Sequence, residues 1–122
     1  DHFPRQDMAI ADKMNQYTKV VFSRTLKKSI WHRSLFATGD PKEEIKRLKE
    51  QEGKDMILFG SARLASMFIL SGIVDEYHLW IHPVILGRGK PIFNHLLQRM
   101  NLKLKESVSF ESGVVANFYS LV

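Results

Sequence analysis

Met56-Ile57-Leu58-Phe59-Gly60-Ser61-Ala62-Arg63-Leu64 is the stretch on which the fold turns. Four apolar residues run without interruption, as in a central parallel strand buried on both faces. Gly60 breaks the run and Ser61 is suited to cap a helix, predicted from about Ala62 to Ser71 and stopped by Gly72. The helix is apolar over a wide arc (Leu64, Met67, Phe68, Leu70), which suits tight packing on a sheet. Tyr77 to His82 reads as the next strand. Strand, helix and strand together make a βαβ unit with a right-handed crossover.

Upstream, residues 7–16 place Met8, Ala11 and Met14 at helical spacing. Lys19-Val20-Val21-Phe22-Ser23 reads as a buried strand, and a short strand is expected near Leu35-Phe36-Ala37. A second helix is well marked. Asp40 is its N-cap, Pro41 takes the first helical position, Glu43 completes a capping box and Gly53 closes the end. Only Ile45 and Leu48 give it an apolar side, so it belongs on the surface.

Downstream, residues 83–91 form a turn-rich connection, and a helical turn is expected from Phe93 to Gln98. Leu102, Leu104, Val108 and Phe110 alternate with Lys103, Lys105, Ser107 and Ser109, the pattern of a half-buried strand. Ser112-Gly113 supplies a turn and Val114 to Val122 returns as the second arm of a hairpin. Strands near 19–23, 56–59 and 77–82 are predicted to be neighbours in one sheet that the hairpin joins. No repeat or linker interrupts the chain, so one α/β domain is expected, with apolar faces left open for another copy or another segment to cover.

Composition narrows the class. Of 122 residues, 44% are hydrophobic and 25% charged, which is globular. No apolar run approaches the ~18–20 residues of a membrane helix. Asp1-His2-Phe3-Pro4 lacks the basic and apolar regions of a signal peptide, and the missing initiator methionine reads as a processed or trimmed start. With no cysteine there is no disulfide, thiolate metal site or cysteine nucleophile, in keeping with a cytoplasmic setting. The net charge of +5 is spread out. Its densest stretch, Lys42 to Lys54, interleaves Glu43, Glu44, Glu50 and Glu52, as a solvated helix face does. A nucleic-acid interface is therefore not expected.

Two segments carry chemistry. At Gly60-Ser61-Ala62-Arg63-Leu64 a glycine allows close backbone approach where a helix begins, and free N–H groups there attract an anion such as a pyrophosphate. The rival reading is a tight turn without a ligand. The pattern is not G-x-G-x-x-G, so it is not the Rossmann fingerprint. Ser23-Arg24-Thr25 follows the first strand, where open α/β sheets bind ligands. An arginine fork between two hydroxyls suits a phosphate monoester, although a solvated loop looks the same. Two phosphate sites describe NADP better than NAD. His78, Trp80 and His82 fall on one face of a strand. They line either a substrate site or a packed sheet face; no third ligand supports a metal site.

In order along the chain stand Phe22-Ser23-Arg24-Thr25, Trp31, Gly39-Asp40, Ile57-Leu58-Phe59-Gly60-Ser61, Gly72-Ile73-Val74-Asp75-Glu76-Tyr77 and Pro83-Val84-Ile85-Leu86-Gly87-Arg88-Gly89-Lys90-Pro91-Ile92-Phe93. From Lys19 onward this series resembles the bacterial dihydrofolate-reductase-like family related to the C-terminal reductase domain of the riboflavin deaminase–reductase. The resemblance implies a mixed sheet with flanking helices, descent from NADPH-dependent reductases, and commonly a homodimer. It implies that Ser23, Arg24 and Thr25 hold the 2′-phosphate and adenosine end of NADPH. Gly60, Ser61, Ala62, Arg63 and Leu64 would lie against the pyrophosphate. His78 and Trp80 align with pocket-floor positions that line a substrate site, and residues 86–89 serve as a structural connection.

The family's first strand, early substrate loop and Gly-Arg-Thr-type cofactor segment are expected to precede Asp1. Riboflavin-pathway reductases carry a substrate-contacting glutamate just before the glycine pair. Phe59 stands there and cannot make that contact, which argues against the riboflavin pyrimidine as substrate. An NADPH-dependent reductase is the leading expectation, with no residue assigned as proton donor. A non-catalytic nucleotide-binding or dimerising protein on the same fold is the alternative.

Overall fold

The computed structural model describes residues 8–93 and 96–122. Its framework divides into two compact units, one up to Glu52 and one from Gly53 on. In the first, helix α1 (Met8–Gln16) leads into strand β1 (Lys19–Phe22), which pairs in parallel with β2 (Ser34–Ala37) from Lys19↔Ser34 to Phe22↔Ala37. Lys19 ties helix to strand. Its ammonium donates to the carbonyls of Met14 and Asn15, both at 3.2 Å, at the negative end of α1. It also lies 4.7 Å from the centre of the Trp31 ring, whose Nε1 donates to Asn15 Oδ1 at 2.9 Å.

Helix α2 (Pro41–Lys49) begins as its sequence requires. Asp40 Oδ1 accepts from the amides of Lys42 and Glu43 at 3.0 and 3.2 Å, and Pro41 follows directly. Two expectations change. Glu43 pairs with Lys46 at 3.0 Å rather than completing a capping box, because a cation one turn on is within reach. The helix ends at Lys49 with Glu50 as its cap, four residues short of the position where Gly53 was expected to close it.

In the second unit, helix α3 (Ala62–Leu70) ends in a Schellman motif. Gly72 takes φ +66°, its amide bonds the Ile69 carbonyl at 3.0 Å, and the Ile73 amide bonds that of Phe68 at 3.3 Å. The buried side of α3 is Phe68 and Ile69, whereas Leu70, assigned to the packed arc from sequence, is 47% exposed. Strands β3 (Glu76–Ile81), β4 (Leu102–Ser109) and β5 (Val115–Leu121) form an antiparallel sheet ordered β3-β5-β4. The hairpin turns through Gly113 at φ +81°. Tyr77, Ile69, Phe93 and Leu102 line one cavity of about 500 Å³ on the α3 side of that sheet.

The sheet prediction needs two corrections. Residues 56–59 form no strand, and the described strands fall into two sheets, β1-β2 and β3-β5-β4. The apolar run that was to link them has no ladder partner. In the hairpin, the register shifts between Leu104 and Glu106. That bulge adds one residue, so the alternation read as a single face is split. Leu104 sits opposite Tyr119, which is opposite Tyr77; Val108 sits opposite Ala116, which is opposite Trp80. The turn expected at 93–98 includes residues 94 and 95, which lie outside the described residues; its other positions are not helical.

Tyr77 is 5% exposed, and its hydroxyl is buried with no partner among the described residues. Burial, and then the charge of Asp75, raise its pKa, so it stays a protonated donor. An unsatisfied buried hydroxyl costs about 1–3 kcal/mol. Tyr77→Phe keeps the ring and removes the orphan, so urea unfolding is expected to show a gain of about 1 kcal/mol. A loss would mean that the hydroxyl has a partner.

Candidate functional site

Two consecutive residues enter α3 in left-handed conformations, Gly60 at φ +83° and Ser61 at φ +53°. An N-cap serine normally sits in the extended region, so Ser61 departs from the simple cap read from sequence. Its Oγ still accepts from the Leu64 amide, at 3.3 Å, and its carbonyl takes the first helical bond from Ala65 at 2.9 Å. Among the described residues, the amides of Ala62 and Arg63 have no acceptor. A Cβ built on Gly60 would meet nothing within 4 Å. The result is an open turn beside two free donors at the positive end of a helix. That geometry fits a pyrophosphate.

Ser23-Arg24-Thr25 lies directly after β1, on the side where β1 and β2 both end. Ser23 Oγ accepts from the amides of Thr25 and Leu26 at 3.3 and 2.9 Å, which folds the segment into a tight turn. Its hydroxyl proton stays available to a phosphate oxygen. Arg24 is exposed, and among the described residues no carboxylate pairs with it. This segment belongs to the first unit; residues 60–64, His78 and Trp80 belong to the second.

His78 and Trp80 share a face of β3, as expected. His82 lies past the end of the strand, because the ladder closes at Ile81↔Val115. Among the described residues, no three of His, Asp and Glu gather as a metal site. The ring of His78 meets Phe118 edge-on at 4.7 Å, and Trp80 stacks on Phe110 at 5.5 Å and 20°. Glu76 completes the row. It accepts from Lys105 at 2.6 Å and lies 3.5 Å from His78 Nε2. The sequence reading missed Phe110, Phe118 and Lys105: the β3–β5 register brings Phe118 opposite His78, and the bulge in β4 carries Lys105 and Phe110 onto this face.

The Lys105 hydrogen bond, and then that of His78, hold the Glu76 carboxyl below the ordinary glutamate range. The pair therefore stabilises the fold at neutral pH and loses its effect as pH falls through that depressed value. In Lys105→Met the Glu76 pKa, followed by carboxyl NMR, is expected to rise towards the unpaired value; no movement would show that Lys105 is not its main partner.

Mixed α/β elements with a parallel pair, an antiparallel sheet and a C-terminal hairpin are those of the dihydrofolate-reductase-like fold. The chain belongs to the RibD C-terminal domain family, which it matches over residues 2–116. Solved structures share the fold. A riboflavin biosynthesis protein from Shewanella sp. PV-4 superposes with a TM-score of 0.76, 17% identity, and coverage of 95% of this chain and 68% of that one. A pyrimidine reductase-like protein from Corynebacterium diphtheriae gives 0.60 and 19%, covering 84% and 49%.

Two uncharacterized Bacillus subtilis proteins are similar in sequence. YyaP is 46% identical over 101 residues, 83% of this chain and 53% of its own length. YwjB is 32% identical over 72 residues, 59% and 41%. The chain thus spans about half the length of the curated relatives it matches. No helix among the described residues is long and apolar enough to cross a membrane.

Proposed function

We propose that this chain carries cofactor-binding residues of an NADPH-dependent reductase, of the class that includes dihydrofolate reductase and the riboflavin-pathway pyrimidine reductases. It acts on a small molecule, as a cytoplasmic homodimer. The observation that carries this reading is the start of α3, where Gly60 and Ser61 turn left-handed and leave the amides of Ala62 and Arg63 open. Family membership and the reductase-like neighbour in C. diphtheriae support it.

In this reading Ala62 and Arg63 amides bind the pyrophosphate, and Ser61 keeps the turn in place through Leu64. Arg24, with Ser23 and Thr25, binds the 2′-phosphate. His78 and Trp80 offer flat surfaces to the substrate, backed by Phe118 and Phe110. When bound, the nicotinamide supplies the hydride, and the protein supplies orientation and electrostatics.

Amide NMR of the protein expressed from its own gene tests this reading. Added NADPH is expected to shift Gly60, Ala62, Arg63 and the 23–25 amides in a saturable way. Saturable binding that leaves residues 60–63 unmoved would overturn it.

A further inference from the structure

Tyr77 takes the opposite face of β3 from His78 and Trp80, because side chains alternate along a strand. On that face it lines the cavity of about 500 Å³, together with Ile69, Phe93, Met100 and Leu102. Ile69 stands in the last turn of α3, at the far end of the helix from Ser61. The cavity is therefore separate from the helix start and from the His78–Trp80 face. Its size falls within the roughly 300–1,000 Å³ of small-molecule sites, and its wall is mostly apolar, as theirs are.

Tyr77 and Arg99 give this wall its chemistry. The Tyr77 side chain is 5% exposed, and its hydroxyl has no partner among the described residues. Buried polar groups are almost always satisfied, so each exception needs a reason. Phenylalanine would fill the same space without the cost of an unsatisfied hydroxyl. Arg99 also lines the cavity but is exposed, and among the described residues no carboxylate pairs with it. The cavity thus has an uncharged donor on its inner side and a cation on its solvent side. Burial raises the pKa of Tyr77, so its hydroxyl keeps the proton it would donate.

We propose that this cavity binds a small amphipathic acid, with an acceptor oxygen in its apolar body for Tyr77 and an anionic head for Arg99. The apolar body lies against Ile69, Met100 and Leu102. The Tyr77 hydroxyl is closed to water, and Phe93 is the wall that yields. Its ring is 6.4 Å from that of Tyr77, 43% exposed, and outside any helix or strand. Turning it aside brings the ligand oxygen to the hydroxyl and gives the orphan donor its partner. The site stands apart from the cofactor residues, so it does not depend on NADPH binding.

NMR of the protein expressed from its own gene tests the proposal. The probe is benzoylpropionate, a phenyl ketone that ends in a carboxylate; phenylbutyrate, which lacks the ketone, is its control. At millimolar concentration the probe is expected to shift the methyl signals of Ile69 and Leu102 in a saturable way, with the amides of Gly60 and Trp80 unmoved. Tyr77→Phe keeps the ring and the fold. It is expected to weaken the probe about tenfold and to leave phenylbutyrate unchanged. Arg99→Met alters an exposed side chain and is expected to weaken both compounds severalfold. Absence of saturable shifts at Ile69 and Leu102 overturns the proposal. So does an equal effect of Tyr77→Phe on the two compounds, since the hydroxyl would then read no oxygen. Binding that Arg99→Met leaves unchanged overturns it as well.

Discussion

Gly60→Val is expected to weaken NADPH and NADH together, by about ten- to a hundredfold. Gly60 holds φ +83°, a conformation that a β-branched residue reaches only at a cost of roughly 1–3 kcal/mol. Converted to affinity, the middle of that range is about ten- to a hundredfold if the turn relaxes and must be restored on binding. A Cβ at this position would meet no atom within 4 Å beyond its neighbours in the chain, so the branch point itself introduces no clash. The valine would project into the space assigned to the pyrophosphate, which both cofactors carry. Circular dichroism and a melting curve should show the fold retained while both affinities fall. A variant that folds and binds both cofactors normally would show that the turn is only a connection.

Arg24→Ala separates the two cofactors. They differ only by the 2′-phosphate, and Arg24 is an exposed guanidinium with no carboxylate partner among the described residues. Hydrogen bonds to charged groups contribute roughly 1.5–3 kcal/mol each. Salt screening at an exposed site pulls the effect to the low end, about tenfold in NADPH affinity. NADH affinity should hardly change. Equal losses would mean that Arg24 does not read the 2′-phosphate.

Local signals were legible in the sequence because their causes are local. Asp40-Pro41 starts α2, and Gly72 stops α3 in a left-handed cap, since each acts through backbone atoms within four residues. The hairpin was legible for the same reason. What failed depended on distant partners. The run at 56–59 has the composition of a strand, but a strand exists only where a neighbour completes its ladder. The bulge at Leu104/Glu106 carries no mark of its own in Leu-Lys-Leu-Lys-Glu, yet it moves Val108 and Phe110 to the opposite face.

The candidate site divides in the same way. The helix start at Ser61 was readable from a glycine and a serine, but the left-handed geometry of Ser61 was not, because serine rarely adopts it. His78 and Trp80 were found by alternation along one strand. Their companions Phe118, Phe110 and the Glu76–Lys105 pair lie across the sheet, 29 residues apart in the case of the ion pair. Only the cross-strand register relates them.

NADPH binding through the 2′-phosphate and pyrophosphate is the property proposed for this family member. Parallel titrations of NADPH and NADH into the wild-type protein, expressed from its own gene and followed by nicotinamide fluorescence at fixed moderate salt, test it most directly. Saturable binding of both is expected, with NADPH tighter by about tenfold, the equivalent of roughly 1.4 kcal/mol. Equal affinities, or no binding of either cofactor, would contradict it.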